Sequence, residues 1–489
     1  MRSIDMPPYA PTLIESTRAI GYTLESAVAD IVDNSITAQA DTVEISFFPV
    51  GEPYIAVLDN GKGMDLEQIN TAMQYGSQSP EEDRADTDLG RFGLGLKTAS
   101  LSQCRRLTVI SKTNASIEGR RWDIDHVKRT GRWSLLVLDD DDMRSIPQFD
   151  ELSRLATGTL VAWQELDRVG AGERDFQEAL GRKMDVVRTH LSLVFHRYLA
   201  GEPGIRRLRL SINHSEVVPS DPFALRKSQQ AMDDETIVVR GEKITVRPYI
   251  LPHLSKMTAS EVAALGGEDG LRKQQGFYVY RNRRLLVWGT WFKMIRQGDL
   301  SKLARIQVDI PNSLDDLWTL DIKKSAATPP AEVRQNLKAI IQKVAEGSKR
   351  TWTFRGKKET GDSGVHVWDR FRSPRGGVYY AINRSHPLVA LLLAGNGGRY
   401  GKTLDSLLRQ IERSIPLNQL YVDLNDDEQI GNDSELTEEE IGTLLGQLLD
   451  GCSSQDERVE MLKRLASAEP FDAFPEVAER AGKEILDGK

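Results

Sequence analysis

Three groups of residues in the first hundred positions could do chemistry together. Asp30 and Asn34 stand four apart. Residues four apart share a helix face, so a carboxylate able to take a proton would sit beside a carboxamide oxygen able to hold a hard cation. Asp59-Asn60-Gly61-Lys62-Gly63-Met64 follows an apolar run. A carboxylate at a strand end can accept a hydrogen bond from a ligand, and glycines after it let the backbone approach closely, where a Cβ would clash. Gly90-Arg91-Phe92-Gly93-Leu94-Gly95-Leu96-Lys97-Thr98 is a Gly-rich turn feeding a helical segment. Such a turn gathers unpaired N–H groups at a helix start and suits an anion. Each group alone is weak: Asp-Asn-Gly is a common turn, Asp30 and Asn34 suit a solvated helix face, and GxxGxG occurs widely. Their order, with Gly158-Thr159 behind them, points to one phosphate-binding site.

The elements that must position these residues can be read from pattern. Thr23 can cap a helix over 24–36, with Leu24, Val28 and Ile31 on one face and Asp30, Asn34 and Thr37 on another. Val43, Ile45 and Phe47 alternate as in a half-buried strand, and Tyr54 to Leu58 form a second one ending at Asp59. A helix is expected over 66–75, a mobile polar lid over 76–92, and a helix from Gly95. Strands are expected at 107–111, 134–138 and 159–164. The pattern predicts a sandwich of one mixed sheet with helices on a single face. A helix over 175–200 and strands at 206–212, 236–240, 244–250, 277–280, 284–288 and 304–310 predict a second α/β domain, closed by a helix at 330–347. Residues 347–364 read as a linker. Between Tyr421 and Glu440 stand nine acids and no base.

The ordered trio resembles the N box, DxGxG box and GxxGxG box of the GHKL ATPases, which include gyrase B subunits, MutL and the MORC proteins. The resemblance covers about residues 15–345. It implies a GHKL (Bergerat) α/β sandwich ATPase domain over 1–168, an α/β transducer domain over 169–347, and a small mixed or helical acidic region over 348–489. It implies ATP and Mg²⁺. Asp59 would read the adenine amino group, with Gly61, Gly63, Met64, Ala38 and Thr159 around the base. Gly90, Arg91, Phe92, Gly93, Leu94, Gly95 and Leu96 would cradle the phosphates, with Lys97 adding a charge. Asn34 would be the metal ligand and Asp30 the general base. Most relatives that hydrolyse ATP carry Glu at that position. Asp30 is one methylene shorter, and Glu25 lies off the same face.

His190 to His196, Asp221-Pro222-Phe223 and Tyr278 to Leu286 look MORC-like. Transducers of this branch lend a lysine to the γ-phosphate, and Lys323 or Lys324 is the candidate here. The chain looks most like ATPases of bacterial phage-defence cassettes, which act beside helicase-like and nuclease partners. The implied protein is an ATP-gated homodimeric clamp on DNA or on partner proteins; a non-hydrolysing adaptor and a chaperone-like ATPase are the rivals. From Arg272 to Arg305, nine cations stand against Asp299 alone, with six aromatics interleaved. That composition suits a groove for nucleic-acid phosphates, or else an ordinary sheet with surface cations. Gly395 to Thr403 lacks the first glycine of a Walker A motif, so it reads as a flexible loop.

Bulk properties narrow the class. The 489 residues are 39% apolar, with net charge −8 and two cysteines, Cys104 and Cys452. That excludes a disulfide framework and a Cys-rich zinc site, and nucleic-acid affinity would have to come from a local patch. No apolar run is long enough for a membrane span. The start has no apolar signal core. A cytoplasmic protein with no membrane contact is expected.

Overall fold

The computed structural model describes residues 6, 8–19, 21–76, 95–225, 227–230, 233–253, 256–267, 270–298, 301–315, 317–318, 329–353, 365–372, 378–394, 399–416, 420, 437–450, 452, 454–477 and 480. The lid over 76–92 lies almost wholly outside them, as do Gly90, Arg91, Phe92, Gly93, Leu94, Lys323 and Lys324. So do 395–398 and most of the acidic stretch between Tyr421 and Glu440.

Residues up to Arg355 form one compact unit and Gly356 onward a second. The first unit opens with helices α1 (Ala10–Arg18) and α2 (Leu24–Thr37), followed by strands β1 (Thr42–Phe48) and β2 (Tyr54–Asp59). Then come α3 (Leu66–Met73), α4 (Gly95–Leu101), β3 (Arg106–Lys112), β4 (Ile117–Asp123), α5 (Ile124–Thr130) and β5 (Leu136–Val137). Helices α6 (Asp140–Arg144) and α7 (Phe149–Arg154), strand β6 (Gly158–Gln164), helices α8 (Phe176–Val194) and α9 (His196–Ala200), and strands β7 (Arg209–Ile212) and β8 (Ser215–Glu216) complete this layer.

The eight strands form one mixed sheet in the order β5-β4-β3-β6-β2-β1-β7-β8. Alternation along β2, β3 and β6 sorts the side chains. Ile55, Val57, Leu107, Val109, Val161 and Trp163 face the main helical layer and its core. Ala56, Leu58, Ile110, Leu160 and Ala162 face the other way, under Met143 and Leu152 of α6 and α7. The expectation of helices on a single face is therefore corrected: two short acidic helices, whose few apolar residues gave no clear period, cover the second face. Strand β7 pairs in parallel with β1, so the predicted strand at 206–212 belongs to this sheet, not to the next. The hairpin partner β4 and helices α1 and α5 had no counterpart in the sequence reading.

The second sheet holds β9 (Gln229–Gln230), β10 (Glu235–Val239), β11 (Glu242–Ile250), β12 (Gly276–Arg281), β13 (Arg284–Thr290) and β14 (Ala304–Ile310). Its order is β10-β11-β14-β12-β13, with β9 on β11. Short helices α10 (Ala259–Gly266) and α11 (Gly270–Lys273) lie in the connection, and α12 (Ala331–Thr353) lays Val333, Leu337, Ile340 and Val344 on Val246, Ile306 and Val308. Helix α12 runs through the first residues expected to be linker. The second unit contains a hairpin of β15 (Trp368–Arg372) and β16 (Val378–Ile382) and helices α13 (Pro387–Ala394), α14 (Arg399–Ser414), α15 (Glu438–Asp450) and α16 (Gln455–Leu465). Ile441, Leu445, Leu465 and Phe471 form its core. Among the described residues no helix is long and apolar enough to cross a membrane.

Candidate functional site

Three strands bring three polar side chains abreast on the helical side of the first sheet. Asp59 of β2 stands opposite Thr159 of β6, and Thr159 stands opposite Ser111 of β3. All three are buried. Asp59 Oδ1 accepts from the Gly61 N–H at 2.8 Å and Oδ2 from the Ser35 hydroxyl at 2.9 Å. Burial raises the Asp59 pKa; the Gly61 and Ser35 donors act against that shift but do not overcome it. The Ser111 hydroxyl accepts from the Met64 N–H at 2.8 Å and lies 2.8 Å from Thr159 Oγ1 and 3.2 Å from the Gly158 carbonyl.

The loop after Asp59 is shaped by close approach. A Cβ on Gly61 would stand 2.9 Å from both Cβ and the carbonyl oxygen of Ala38, and 2.9 Å from Asp59 Oδ1. Gly63 has φ +71°, and a Cβ there would come within 2.0 Å of the Lys112 carbonyl. Neither contact tolerates a side chain. Asn60 is structural: its Oδ1 accepts from the Asp41 and Thr42 N–H groups, each at 3.0 Å. The Lys62 N–H donates to the Ala38 carbonyl at 3.0 Å, tying the loop to the end of α2.

Helix α2 starts where expected, with Thr23 Oγ1 accepting from the Ser26 N–H, and its apolar face enters the core through Leu24, Val28 and Ile31. Its other side carries Asp30, Asn34 and Ala38. Asp30 is 5% exposed. The Tyr22 hydroxyl donates to its Oδ2 at 3.0 Å. A Cβ on Gly95 would lie 3.6 Å from the same oxygen, so Asp30 faces the first residue of α4. Asn34, one turn further along α2, is exposed to solvent. Asp33, 1% exposed, accepts twice from Arg284 Nε, at 2.8 and 2.9 Å. The Arg284 guanidinium also stands 4.0 Å from Asp30 Oδ1 and over the Phe195 ring.

The structure thus brings together Asp30, Asn34, Ala38, Asp59, Gly61, Gly63, Met64, Gly95, Leu96 and Thr159. It corrects two expectations. Lys97 does not point at a phosphate cradle: it is 1% exposed, and its Nζ donates to the Ala72 and Gln74 carbonyls, each at 2.8 Å. The ammonium satisfies the carbonyls that close α3, while burial pulls its pKa down to about 8.

Four of the nine cations between Arg272 and Arg305 are withdrawn from any phosphate-tracking surface, while Arg272, Lys273, Arg283, Lys293 and Arg296 are half-buried or exposed. Arg281, Arg284, Lys302 and Arg305 are buried, as are Phe277, Tyr278, Tyr280 and Trp291. Arg281 pairs with Asp315 and Arg284 with Asp33. On the side of the sheet away from α12, Phe223 packs on Tyr278 and Tyr280, and His196 Nε2 lies 2.8 Å from the Tyr280 hydroxyl.

Sequence reasoning missed Ser35, Ser111, Tyr22 and the partnership of Asp33. Single serines and tyrosines have no spacing signal. Only the pairing of β3 with β6 reveals Ser111.

Residues 22–159 match the family described as Histidine kinase-, DNA gyrase B-, and HSP90-like ATPase. The DNA mismatch repair protein MutL of Thermosipho melanesiensis is 32% identical over 101 residues, 20% of this chain and 18% of that protein. MutL of Shewanella loihica is 31% identical over 113 residues, 22% of this chain and 18% of that protein. The mismatch repair endonuclease pms1 of Dictyostelium discoideum is 26% identical over 149 residues, 30% of this chain and 14% of that protein. The chain thus spans less than a fifth of the length of these relatives. A crystal structure of the N terminal domain of a DNA repair protein superposes with TM-score 0.43 and 16% identity, over 70% of this chain and 97% of that one. The chain carries a GHKL-type ATPase domain, an α/β sandwich of an ATP-binding family.

Proposed function

We propose that this protein binds ATP with Mg²⁺, hydrolyses it slowly, and works as a dimeric clamp or switch acting on DNA or on partner proteins. The observation that carries the reading is the convergence of Asp59, Thr159 and the Gly61–Gly63 loop with Asp30 and Asn34 of α2 at the start of α4. The chemistry of these residues suits an adenine nucleotide. Gly61 lets the loop lie against Ala38 and Asp59 where a Cβ would clash, and Asp59 is a buried carboxylate with its oxygens fixed by Gly61 and Ser35. Asp59 would accept from the base amino group, and Thr159 and Met64 would border the ring. Gly90, Arg91, Phe92, Gly93 and Leu94, with Gly95 and Leu96, would offer backbone donors to the phosphates. Asn34 would supply one oxygen to Mg²⁺, which when bound shields phosphate charge. Asp30, held by Tyr22 and lying against Gly95, would orient the attacking water and take its proton. Lys323 or Lys324 would reach the γ-phosphate from the second domain.

The MutL and pms1 similarities support action on DNA, and the MORC-like segments support a bacterial defence or DNA-processing setting with helicase-like and nuclease partners. Arg272, Lys273, Arg283, Lys293 and Arg296, which are not buried, are the part of the 272–305 run that would meet nucleic-acid phosphates. ATP turnover by the purified chain, with and without DNA, tests the reading. Turnover that DNA accelerates supports a DNA clamp. Tight ATP binding without turnover replaces the enzyme by a nucleotide-gated adaptor. Turnover that responds to unfolded protein and not to DNA replaces the clamp by a chaperone-like ATPase.

A further inference from the structure

The buried serine of β3 completes a proton-accounting problem beside the base-reading carboxylate. Ser111 has one hydroxyl proton and two acceptor lone pairs. Three groups surround its oxygen: the Met64 N–H at 2.8 Å, Thr159 Oγ1 at 2.8 Å and the Gly158 carbonyl at 3.2 Å. The Met64 N–H can only donate and the Gly158 carbonyl can only accept. One arrangement uses all three contacts: Ser111 accepts from Met64 and from the Thr159 hydroxyl, and donates to Gly158. Reversing the Ser111–Thr159 bond abandons the Gly158 contact and leaves the Thr159 proton to find another acceptor in a buried site. Leaving buried polar groups unpaired is costly, so the first arrangement holds.

The consequence concerns what the pocket presents. With its proton spent on Ser111, Thr159 turns only lone pairs outward. Asp59, directly opposite on β2, is likewise an acceptor. We infer that Ser111 is a specificity-determining residue: by fixing the direction of the Thr159 proton, it makes this end of the pocket an all-acceptor surface that favours a 6-amino purine and repels a 6-oxo purine. The inference rests on the adenine-nucleotide reading above. Ser111 touches no ligand itself and acts through Thr159, so it is a positioning residue.

Inosine triphosphate is the probe, because it presents an acceptor at position 6 where ATP presents a donor. Equilibrium titration of the intact chain with ATP and with inosine triphosphate gives a preference ratio for each variant. Ser111→Ala frees the Thr159 hydroxyl to donate outward, and the ratio is expected to fall about tenfold, the worth of one mispaired buried hydrogen bond. Ser111→Cys is nearly isosteric and a weak acceptor; it should lower the ratio in the same direction and serves if the alanine variant does not fold. In a Thr159→Val background, where the proton is absent, either change at Ser111 should leave the ratio as Thr159→Val alone sets it. A wild-type ratio in the Ser111 variants overturns the inference, and so does an equal fall with and without Thr159. Asp59→Asn separates this from the underlying reading: if that variant keeps wild-type ATP affinity, the base site itself is misassigned. If it loses affinity while Ser111→Ala keeps the ratio, only the role of Ser111 fails.

Discussion

Replacing Arg284 by methionine decides between two readings of one arginine. As part of an exposed cationic groove, Arg284 would contribute little to stability, since surface substitutions usually stay within about 0.5 kcal/mol. The structure puts it elsewhere. Arg284 is 4% exposed and Asp33 1%, and two contacts of 2.8 and 2.9 Å join them. Methionine keeps most of the stem volume but leaves the Asp33 carboxylate buried without its cation, in the same helix turn as Asp30. Removing one partner of a buried pair costs about 3–5 kcal/mol, mostly because the remaining charge stays desolvated. Urea denaturation should therefore show Arg284→Met destabilised by about that amount. The double variant Arg284→Met with Asp33→Asn removes the stranded Asp33 charge, leaving Asp30 nearby, and should recover part of the loss, giving a coupling energy well above the error of the cycle. Arg283→Met is the control: Arg283 is half-exposed and stands 3.9 Å from Glu202, so it should change stability by no more than about 0.5 kcal/mol. A loss below about 1 kcal/mol for Arg284→Met, or strict additivity with Asp33→Asn, refutes the buried-pair argument.

Other expectations follow from the same geometry. Asp59→Asn places a donor where the base amino group must be received, and calorimetric titration should show ATP binding weakened by at least about 2 kcal/mol. Asp30→Asn keeps size and hydrogen bonding but not basicity; single-turnover hydrolysis should slow by about 10²–10⁴-fold while ATP affinity stays near wild type, and sizing chromatography with ATP should show the dimer accumulating. Gly63→Ala puts a Cβ 2.0 Å from the Lys112 carbonyl at a φ of +71°, so lower thermal stability and weaker ATP binding should appear together. Lys97 has its pKa lowered from 10.5 to about 8 by burial. The unfolded chain holds that proton up to about 10.5, so between about pH 8 and 10.5 it binds more protons than the folded chain. Folding stability from this group rises with pH across that window and is penalised below it, by on the order of 3 kcal/mol. Lys97→Met should remove that rise, and denaturation midpoints at pH 7.5 and 10 check it.

What the sequence disclosed and what it hid divide along physical lines. The Asp59–Gly63 loop was legible because its constraints are local: a strand end, a positive φ and two close backbone approaches leave a glycine signature in consecutive residues. Helix α2 was legible because Thr23 caps it and its apolar period is clean. Lys97 was misread because its number in the chain says only that it starts α4, not where a four-carbon stem turns; the carbonyls it meets belong to α3, some twenty-five residues upstream. Four of the 272–305 cations, Arg281, Arg284, Lys302 and Arg305, were misread because a count of charges ignores burial. Along β14, Arg305, Gln307 and Asp309 alternate with Ala304, Ile306 and Val308. That pattern describes a strand with one polar side, and it is equally compatible with water or protein over that side. Phe223 and the His196 segment supply protein, and no periodicity in β14 announces them.

Helix α2 contacts both sheets from neighbouring residues. Successive helix positions turn by about 100°, so Asp33 lies about 60° to one side of Asp30 and Asn34 about 40° to the other. Ser35, further round, reaches Asp59 at 2.9 Å. A single turn thus addresses the base-reading strand, the proposed metal and water positions, and Arg284 of the second sheet. Asp30 and Asp33 are both buried on this turn. Any rotation of α2 that adjusts the short Asp30 side chain toward its water must work against the two Arg284 contacts. If Asp30 has the role proposed for it, the second sheet would bear on that role through the Arg284–Asp33 pair. On the proposed roles, a shift of the β12–β13 hairpin that carries Arg284 would be felt at Asp30 through Asp33.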